Sequence, residues 1–315
     1  MVDASHPAPA RASRAMAALK ARWRLAMGNI RKIAILLETR NRRVRRKKCP
    51  VKPGQRPQDI LAMLLLTVGI AIVALDIPTS PWIHSLPHEY ISFFSSFTDL
   101  GKADWMLWGT GIYCLLMLAL DWEQMSRRVR MAAVASWIYC AFVFTAVASS
   151  GLIALVLKWT LGRARPKYVE LFGPVDFQLF AFKLSHTSFP SGHSTTIAAF
   201  ATALALIFPA WSLLIIVCGF WIACSRIMVG AHYPSDVIAG TLIGIVVTFA
   251  IARWMARRHI GFILAGGGHI RPIFGSTSAG AYLRRLVRSG FRRGEPAHTT
   301  SRSSADDATQ DESGS

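Results

Sequence analysis

Acidic residues and cysteines are both scarce in this chain. Asp and Glu together number 17 against 36 Lys and Arg, which leaves a formal net charge of +19 over 315 residues. Four of the five cysteines lie inside long apolar runs, where cysteine packs as a small apolar side chain. The chain also contains no internal repeat and no low-complexity array. These absences exclude a disulfide framework and a repeat solenoid.

Hydrophobic residues make up 52% of the chain and are collected into long runs that have the charges between them. A run of about 20 apolar residues crosses a bilayer as a helix. The sequence therefore predicts an all-α protein, a bundle of six transmembrane helices. The six predicted spans are Ile60–Leu75, Ala103–Leu120, Ala132–Leu157, His193–Phe208, Ser212–Met228 and Val237–Met255. The first run begins too far into the chain for a cleaved signal peptide, so we expect it to be retained.

Basic residues mark one side of the predicted membrane. They crowd residues 40–48 before the first span, and further Lys or Arg residues lie at 127–130 after the second span and at 257–258 after the sixth. An excess of Lys and Arg is typical of cytoplasmic segments. We therefore expect both termini in the cytoplasm of a bacterial cell, with the protein in the inner membrane and the loops after the third and fifth spans in the periplasm.

The sequence divides into three parts. Residues 1–57 form a basic cytosolic flank, residues 58–258 the six-span domain, and residues 259–315 a cytosolic, largely disordered tail. Within the flank, Met16, Leu19 and later apolar residues recur every three or four positions among basic ones, which predicts an amphipathic helix on an anionic lipid surface. Packing of that helix on another protein is the alternative. No nucleic-acid partner is expected, since topology already accounts for the charge, and no feature indicates an oligomeric state.

The first motif reads Lys158-x6-Arg165-Pro166 and follows the third span. Arg binds phosphate oxygens through its planar fork, Lys supplies a compact charge, and Pro166 disfavours helix at Arg165, so that the chain should turn there. Arg163 and Lys167 complete a basic cluster on the periplasmic side, against the usual charge bias, which an anionic substrate would explain. A pair of cations reaching to the membrane surface is the alternative interpretation.

The second motif, Pro190-Ser191-Gly192-His193, begins the fourth span. Ser191 is a suitable helix cap, and Gly192 lets backbone approach a ligand closely. Free N–H groups at a helix start favour an anion, and His193 lies in the first turn beside them. Taken alone, this motif could be a simple capping turn.

The third motif, Ser225-Arg226-x5-His232-x3-Asp236, joins the fifth and sixth spans. A carboxylate four residues from a histidine can hold one ring nitrogen and leave the other basic, which is the arrangement of an activated nucleophile. Arg226 adds a third cation.

Together, the three motifs resemble those of the type 2 phosphatidic acid phosphatase (PAP2) family, which shares its site with vanadium haloperoxidases. The resemblance implies that His232 attacks phosphorus, that Asp236 orients it, and that His193 protonates the leaving oxygen and then activates water. It implies a phosphate cradle made of Lys158, Arg165, Ser191, Gly192 and Arg226. It also implies a site on the extracytoplasmic face that needs no metal and no cofactor.

The expected activity is hydrolysis of a terminal phosphate or pyrophosphate on a membrane lipid through a phosphohistidine. The motifs leave the lipid open among undecaprenyl pyrophosphate, lipid A, phosphatidylglycerol phosphate and phosphatidic acid. Three alternatives remain: a phosphotransferase with an acceptor other than water, a non-hydrolytic lipid-phosphate binding or transport protein, and a vanadium-dependent haloperoxidase.

Overall fold

The computed structural model describes residues 8–45, 54 and 56–274. Most of the predicted disordered tail, from residue 275 onward, lies outside the described residues. Helices dominate the described part. They are α1 (Ala8–Arg45), α2 (Pro57–Ala71), α3 (Ile77–His84), α4 (His88–Thr98), α5 (Ala103–Leu118), α6 (Arg127–Leu161), α7 (Val169–Phe172), α8 (Gly192–Ile207), α9 (Ser212–Met228) and α10 (Pro234–Arg257). Strands β1 (Phe262–Leu264) and β2 (Ile270–Pro272) form an antiparallel hairpin.

Local residues account for the helix boundaries near the motifs. Pro57 and Pro234 occupy first helical positions, where a missing N–H costs nothing, and Ser191 caps α8 with its side chain. Gly162 ends α6 in the left-handed conformation, with φ of 55°. Helix α6 therefore ends before Arg165, but the turn lies at Gly162 and not at Arg165, where Pro166 predicted it.

Within the described residues, four helical segments are long and apolar enough to cross a membrane: Pro57–Thr79, Arg127–Leu161, Pro209–Met228 and Pro234–Arg257. The other two predicted spans correspond to α5 and α8, which have 16 residues each. At 1.5 Å per residue, such a helix is roughly 24 Å long, somewhat shorter than the hydrocarbon core of a bilayer. The count of six spans stays a prediction.

Helix α8 lies at the centre, packed against α6, α9 and α10. Ten of its 16 residues are buried, and many of them are Ala or Thr, whose small side chains permit close helix packing. On α10, Gly240 and Gly244 face α8 at backbone distance, since a Cβ added at Gly244 would lie 2.4 Å from the Thr195 carbonyl oxygen. This close contact fixes the start of α8 beside the start of α10.

Helix α1 forms as predicted and lies across one end of the bundle. Its Asn29 donates to the carbonyls of Leu118 (2.9 Å) and Leu120 (3.0 Å) at the end of α5, and Arg40 donates to the carbonyl of Arg258 (3.1 Å) after α10. These bonds satisfy helix-terminal carbonyls that otherwise have no partner. The apolar Leu19 and Trp23 stay about two-thirds exposed, at 66% and 67%.

The hairpin departs from the predicted tail of residues 259–315. Phe262 of β1 is fully buried, with its ring 4.9 Å from that of Phe142 and 5.5 Å from that of Tyr139 on α6. Three-residue strands are too short to show an alternating pattern, so sequence periodicity does not predict them. The hairpin is held in place by packing of Phe262 on the helical bundle.

Candidate active site

The three motifs meet at the end of the bundle where α6 and α9 end and α8 and α10 begin. The Ser191 N–H donates to the Asp236 carbonyl at 3.0 Å, which links the second motif to the third. The His232 N–H donates to the Arg226 carbonyl at 3.3 Å, which folds the loop after α9 back on the helix end. All eight residues that the sequence singled out are therefore set around the starts of α8 and α10.

His232 is buried, and its Nδ1 faces Asp236 Oδ2 at 3.7 Å. This distance is longer than a hydrogen bond, as is common in catalytic pairs without bound substrate. Asp236 is held firmly, because Oδ2 accepts from Ser188 Oγ at 2.6 Å and from the Tyr233 N–H at 2.9 Å. Burial lowers the pKa of His232, although Asp236 acts to raise it, so the imidazole is neutral near pH 7 with Nε2 available as a base.

Three cations surround this histidine. Arg165 donates to Thr187 Oγ1 at 3.1 Å and Arg226 donates to Thr98 Oγ1 at 2.8 Å, yet the Nε of each arginine is buried without a partner in the described structure. Lys158 lies beside the start of α8, since a Cβ added at Gly192 would be 3.7 Å from its Nζ. Leaving a buried donor unpaired costs roughly 1–3 kcal/mol. These donors are therefore suited to an anion.

His193 stands in the first turn of α8, against the segment that follows α4. A Cβ added at Gly101 would lie 3.3 Å from His193 Cβ, and Thr196 Oγ1 donates to the Gly101 carbonyl at 2.6 Å. The charged groups that act on His193 include Arg226, Lys158 and Asp99. The second histidine thus shares its electrostatic environment with two of the three cations, Lys158 and Arg226.

Arg163 corrects one interpretation of the sequence. Its place in the basic cluster predicts contact with an anionic substrate, but its side chain is fully buried and forms ion pairs with two carboxylates, Asp236 and Asp76, at 2.7 Å each. Its guanidinium also lies 4.2 Å from the centre of the Tyr233 ring. Burial works to lower the pKa of Arg163, but the carboxylates raise it above its ordinary value. The residue is a permanent internal cation.

The sequence motifs do not include Asp76, Ser188 and Thr98, whose side chains contact Arg163, Asp236 and Arg226. The one signal for Asp76 was a carboxylate at the end of an apolar run, since ionisable residues in membrane segments are candidates for function by default. Ser188 and Thr98 stood in segments without any distinguishing pattern. Their roles depend on contacts with residues 48 and 128 positions away, which spacing does not reveal.

The arrangement has the parts of a phosphoryl-transfer site. A neutral imidazole stands next to a fixed carboxylate, a second histidine lies across from it, and cationic donors surround the space between them. Such donors act by stabilising charge that develops on the phosphoryl oxygens.

Comparison with known proteins supports the same chemistry. A family model described as the PAP2 superfamily matches residues 135–260. The lipid A 1-phosphatase of Rhizobium johnstonii is 35% identical over 218 residues, which cover 69% of this chain and 88% of that protein. The putative undecaprenyl-diphosphatase YbjG of Escherichia coli is 33% identical over 95 residues, 30% of this chain and 48% of its own length.

Among solved structures, the PAP2-type phosphatidylglycerolphosphate phosphatase from Bacillus subtilis is similar, with a TM-score of 0.44 and 20% identity. The match covers 63% of this chain and 94% of that chain.

Proposed function

This chain belongs to the PAP2 superfamily, and we propose that it removes a phosphate from a membrane lipid through a phosphohistidine on His232, without a metal. The observation that carries the proposal is the pair of buried arginine nitrogens, Arg165 Nε and Arg226 Nε, that have no hydrogen-bond partner in the part of the chain that the structure describes. Buried polar atoms are normally paired, so two cationic donors without partners at one place favour an anionic ligand.

In the first half-reaction, His232 Nε2 attacks phosphorus and the bond from phosphorus to the lipid oxygen breaks. His193, in its protonated form, donates its proton to that oxygen, and the lipid leaves as an alcohol or a lower phosphate. Asp236 stabilises the positive charge that forms on the His232 ring.

In the second half-reaction, the now neutral His193 takes a proton from water. The resulting nucleophile attacks the phosphohistidine, the nitrogen–phosphorus bond breaks, and inorganic phosphate is released. Both histidines return to their starting protonation states. Lys158, Arg165, Arg226 and the Gly192 amide at the start of α8 hold the phosphoryl oxygens throughout, while Ser191 caps the helix and donates its N–H to the Asp236 carbonyl.

The substrate that leads our proposal is lipid A carrying a 1-phosphate. The relative with that activity in its name matches 69% of this chain, whereas the undecaprenyl-diphosphatase match spans 30% of it. Undecaprenyl pyrophosphate is the second candidate, favoured by that shorter match over the catalytic segment. Phosphatidylglycerol phosphate and phosphatidic acid follow.

We place the site at the periplasmic face of a bacterial inner membrane, with both termini in the cytoplasm and α1 on anionic lipid at the cytoplasmic face. The basic residues at 127–130 and 257–258 support this orientation, since they lie at the end of the bundle opposite the site. The exposed apolar residues of α1, with basic residues between them, support its contact with lipid.

The test is phosphate release by purified protein in the presence of a chelator, with each of the four lipids offered in turn. His232→Ala and His193→Ala should lose activity, while His269→Ala, an exposed histidine in the hairpin, is the matched control and should retain it. Release from lipid A that survives chelation and vanishes with His232→Ala is the expected result. Normal turnover by His232→Ala would sink the proposal.

The same experiment separates the alternatives. Phosphate passed to an added acceptor with no free phosphate would indicate a phosphotransferase. Lipid binding without any turnover, unchanged in His232→Ala, would indicate a binding or transport protein. Halide oxidation that depends on added vanadate would indicate a haloperoxidase.

A further inference from the structure

A buried cluster of three charges lies directly behind the proposed nucleophile. Arg163 Nη1 donates to Asp236 Oδ1 and Arg163 Nη2 donates to Asp76 Oδ2, both at 2.7 Å. All three side chains are 0% exposed. We call Asp76, Arg163 and Asp236 the charge triad. Two of its members, Asp76 and Arg163, belong to none of the residues assigned above to attack, proton transfer or phosphate binding.

Asp76 comes from a separate part of the chain, at the end of the first apolar run. Residues Ile72–Asp76 form a single π-helical turn between α2 and α3. Such turns rotate the following side chains relative to an α-helix and occur often at functional sites. Here the turn ends on Asp76, which lies 87 positions from its partner Arg163.

Asp76 also holds the first turn of α10, where Asp236 lies. Its Oδ1 accepts from the Ser235 N–H at 2.9 Å and its Oδ2 accepts from Ser235 Oγ at 2.5 Å. A carboxylate at a helix N-terminus satisfies a free N–H and interacts well with the helix dipole. Because Asp236 is the next residue, Asp76 fixes the backbone that carries the partner of His232.

The two oxygens of Asp236 have different neighbours. Oδ1 accepts from Arg163, whereas Oδ2 faces His232 and accepts from Ser188 and Tyr233. One guanidinium shared by two carboxylates leaves the charge triad with a net charge of −1. Because Arg163 also binds Asp76, it neutralises less of the negative charge of Asp236. Asp236 therefore interacts more strongly with His232 than it would if Arg163 bound Asp236 alone.

We propose that Asp76 and Arg163 are positioning residues of this site, which fix Asp236 and set how strongly it supports the positive charge on His232. The inference rests on the proposed function, since it concerns the same histidine. A purely structural ion pair would join the first apolar run to the bundle and leave the chemistry of His232 unchanged. The two roles differ in what they predict for kcat and for pH dependence.

The test compares Asp76→Asn with Asp59→Asn, a matched change near the start of α2, far along the helix from the charge triad. Asn keeps the shape and one acceptor, which can serve the Ser235 N–H, but it removes the charge and replaces the second acceptor with an NH2 donor, so Asp236 would be the only carboxylate that binds Arg163. We expect kcat to fall about 10- to 100-fold with KM within about twofold of the wild type. Asp59→Asn should match the wild type in both.

The pH profile gives a second readout. The charged groups that face His232 are Asp236 on α10, Lys158 on α6 and Arg226 on α9, with His193 on α8. Removing the Asp76 charge makes this environment more positive, so the His232 imidazolium becomes less stable. The acid limb of kcat/KM should therefore shift to lower pH in Asp76→Asn and stay in place in Asp59→Asn.

If Asp76→Asn does not fold, Ser235→Ala provides the test. It removes the hydroxyl that donates to Asp76 and accepts from Arg163 at 2.7 Å, but it keeps every charge. It should lower kcat about 10-fold without moving the acid limb. Asp76→Asn with wild-type kcat and pH profile would overturn the inference, as would wild-type kcat in Ser235→Ala when Asp76→Asn cannot be purified.

These outcomes are distinct from failure of the proposed function. If the wild type releases no phosphate, or if His232→Ala is as active as the wild type, the proposed function fails. If the wild type is active, His232→Ala is inactive and Asp76→Asn is unchanged, only the positioning role fails.

Discussion

Gly240 should be among the most sensitive positions outside the three motifs. It lies on α10 against the first turn of α8, and a Cβ added there would be 2.5 Å from the Ser191 carbonyl oxygen and 2.9 Å from Thr195 Oγ1. Ordinary contact begins near 3.4 Å, so Gly240→Ala requires α8 and α10 to separate by about 0.9 Å. The nearer of these two atoms belongs to the backbone, so rotating a side chain cannot relieve the contact.

That separation falls directly across the site. Helix α8 follows its cap Ser191 and carries Gly192 and His193, whereas α10 begins next to His232 and carries Asp236. A displacement of about 1 Å between reacting groups can cost roughly 100-fold in rate. Overpacking of this kind also destabilises a protein by about 1–3 kcal/mol. We expect Gly240→Ala to lower kcat about 100-fold while the protein still inserts and purifies.

The assay is steady-state phosphate release on the preferred lipid, together with thermal inactivation in detergent. Gly109→Ala on α5 is the matched control, because a Cβ there meets nothing within 4 Å. It should retain wild-type kcat and stability. If Gly240→Ala and Gly109→Ala have the same kcat, the close packing of α8 on α10 does not set the geometry of the site, and the reasoning fails.

Three further predictions follow from individual contacts. Thr98→Val removes the hydroxyl that accepts from Arg226 at 2.8 Å. Hydrogen bonds to charged groups contribute about 1.5–3 kcal/mol, so kcat/KM should fall about 10- to 100-fold. An unchanged kcat/KM would mean that Thr98 does not position Arg226. Burial lowers the pKa of His232 below its ordinary 6.5, so the neutral nucleophile persists to lower pH. The acid limb of kcat/KM should therefore lie below pH 6.5. A limb above that value would contradict the assignment of His232 as the nucleophile. Asn29→Ala removes two hydrogen bonds from α1 to the end of α5, so limited proteolysis of α1 should become faster; unchanged protection would show that α1 is held by other contacts.

The arrangement of the three motifs was predictable from sequence because their geometry is largely local. Ser191 and Pro234 are residues that start helices, so His193 and Asp236 had to lie in first turns. The spacing of four between His232 and Asp236 is short enough for one turn to bring them together. Long apolar runs made the helical class equally plain, because their composition leaves few other folds open.

The charge triad was not predictable in the same way. Arg163 and Arg165 belong to the same basic cluster in the sequence, yet Arg163 is fully buried between two carboxylates, whereas Arg165 is half-buried and donates to Thr187 Oγ1. That difference arises from the left-handed turn at Gly162 and from the approach of Asp76, a contact across 87 positions. Pairings at such separations depend on how helices pack, which periodicity does not encode.

The most direct test of the account is to trap the phosphorylated enzyme. With His193→Ala and an activated phosphate ester such as p-nitrophenyl phosphate, whose leaving group needs no proton, attack by His232 should proceed while hydrolysis of the intermediate stalls. The account predicts a burst of about one equivalent of nitrophenol per enzyme, with acid-labile phosphate on His232 and none when His232→Ala is added. A burst that persists in the double variant, or phosphate found on another residue, would contradict it.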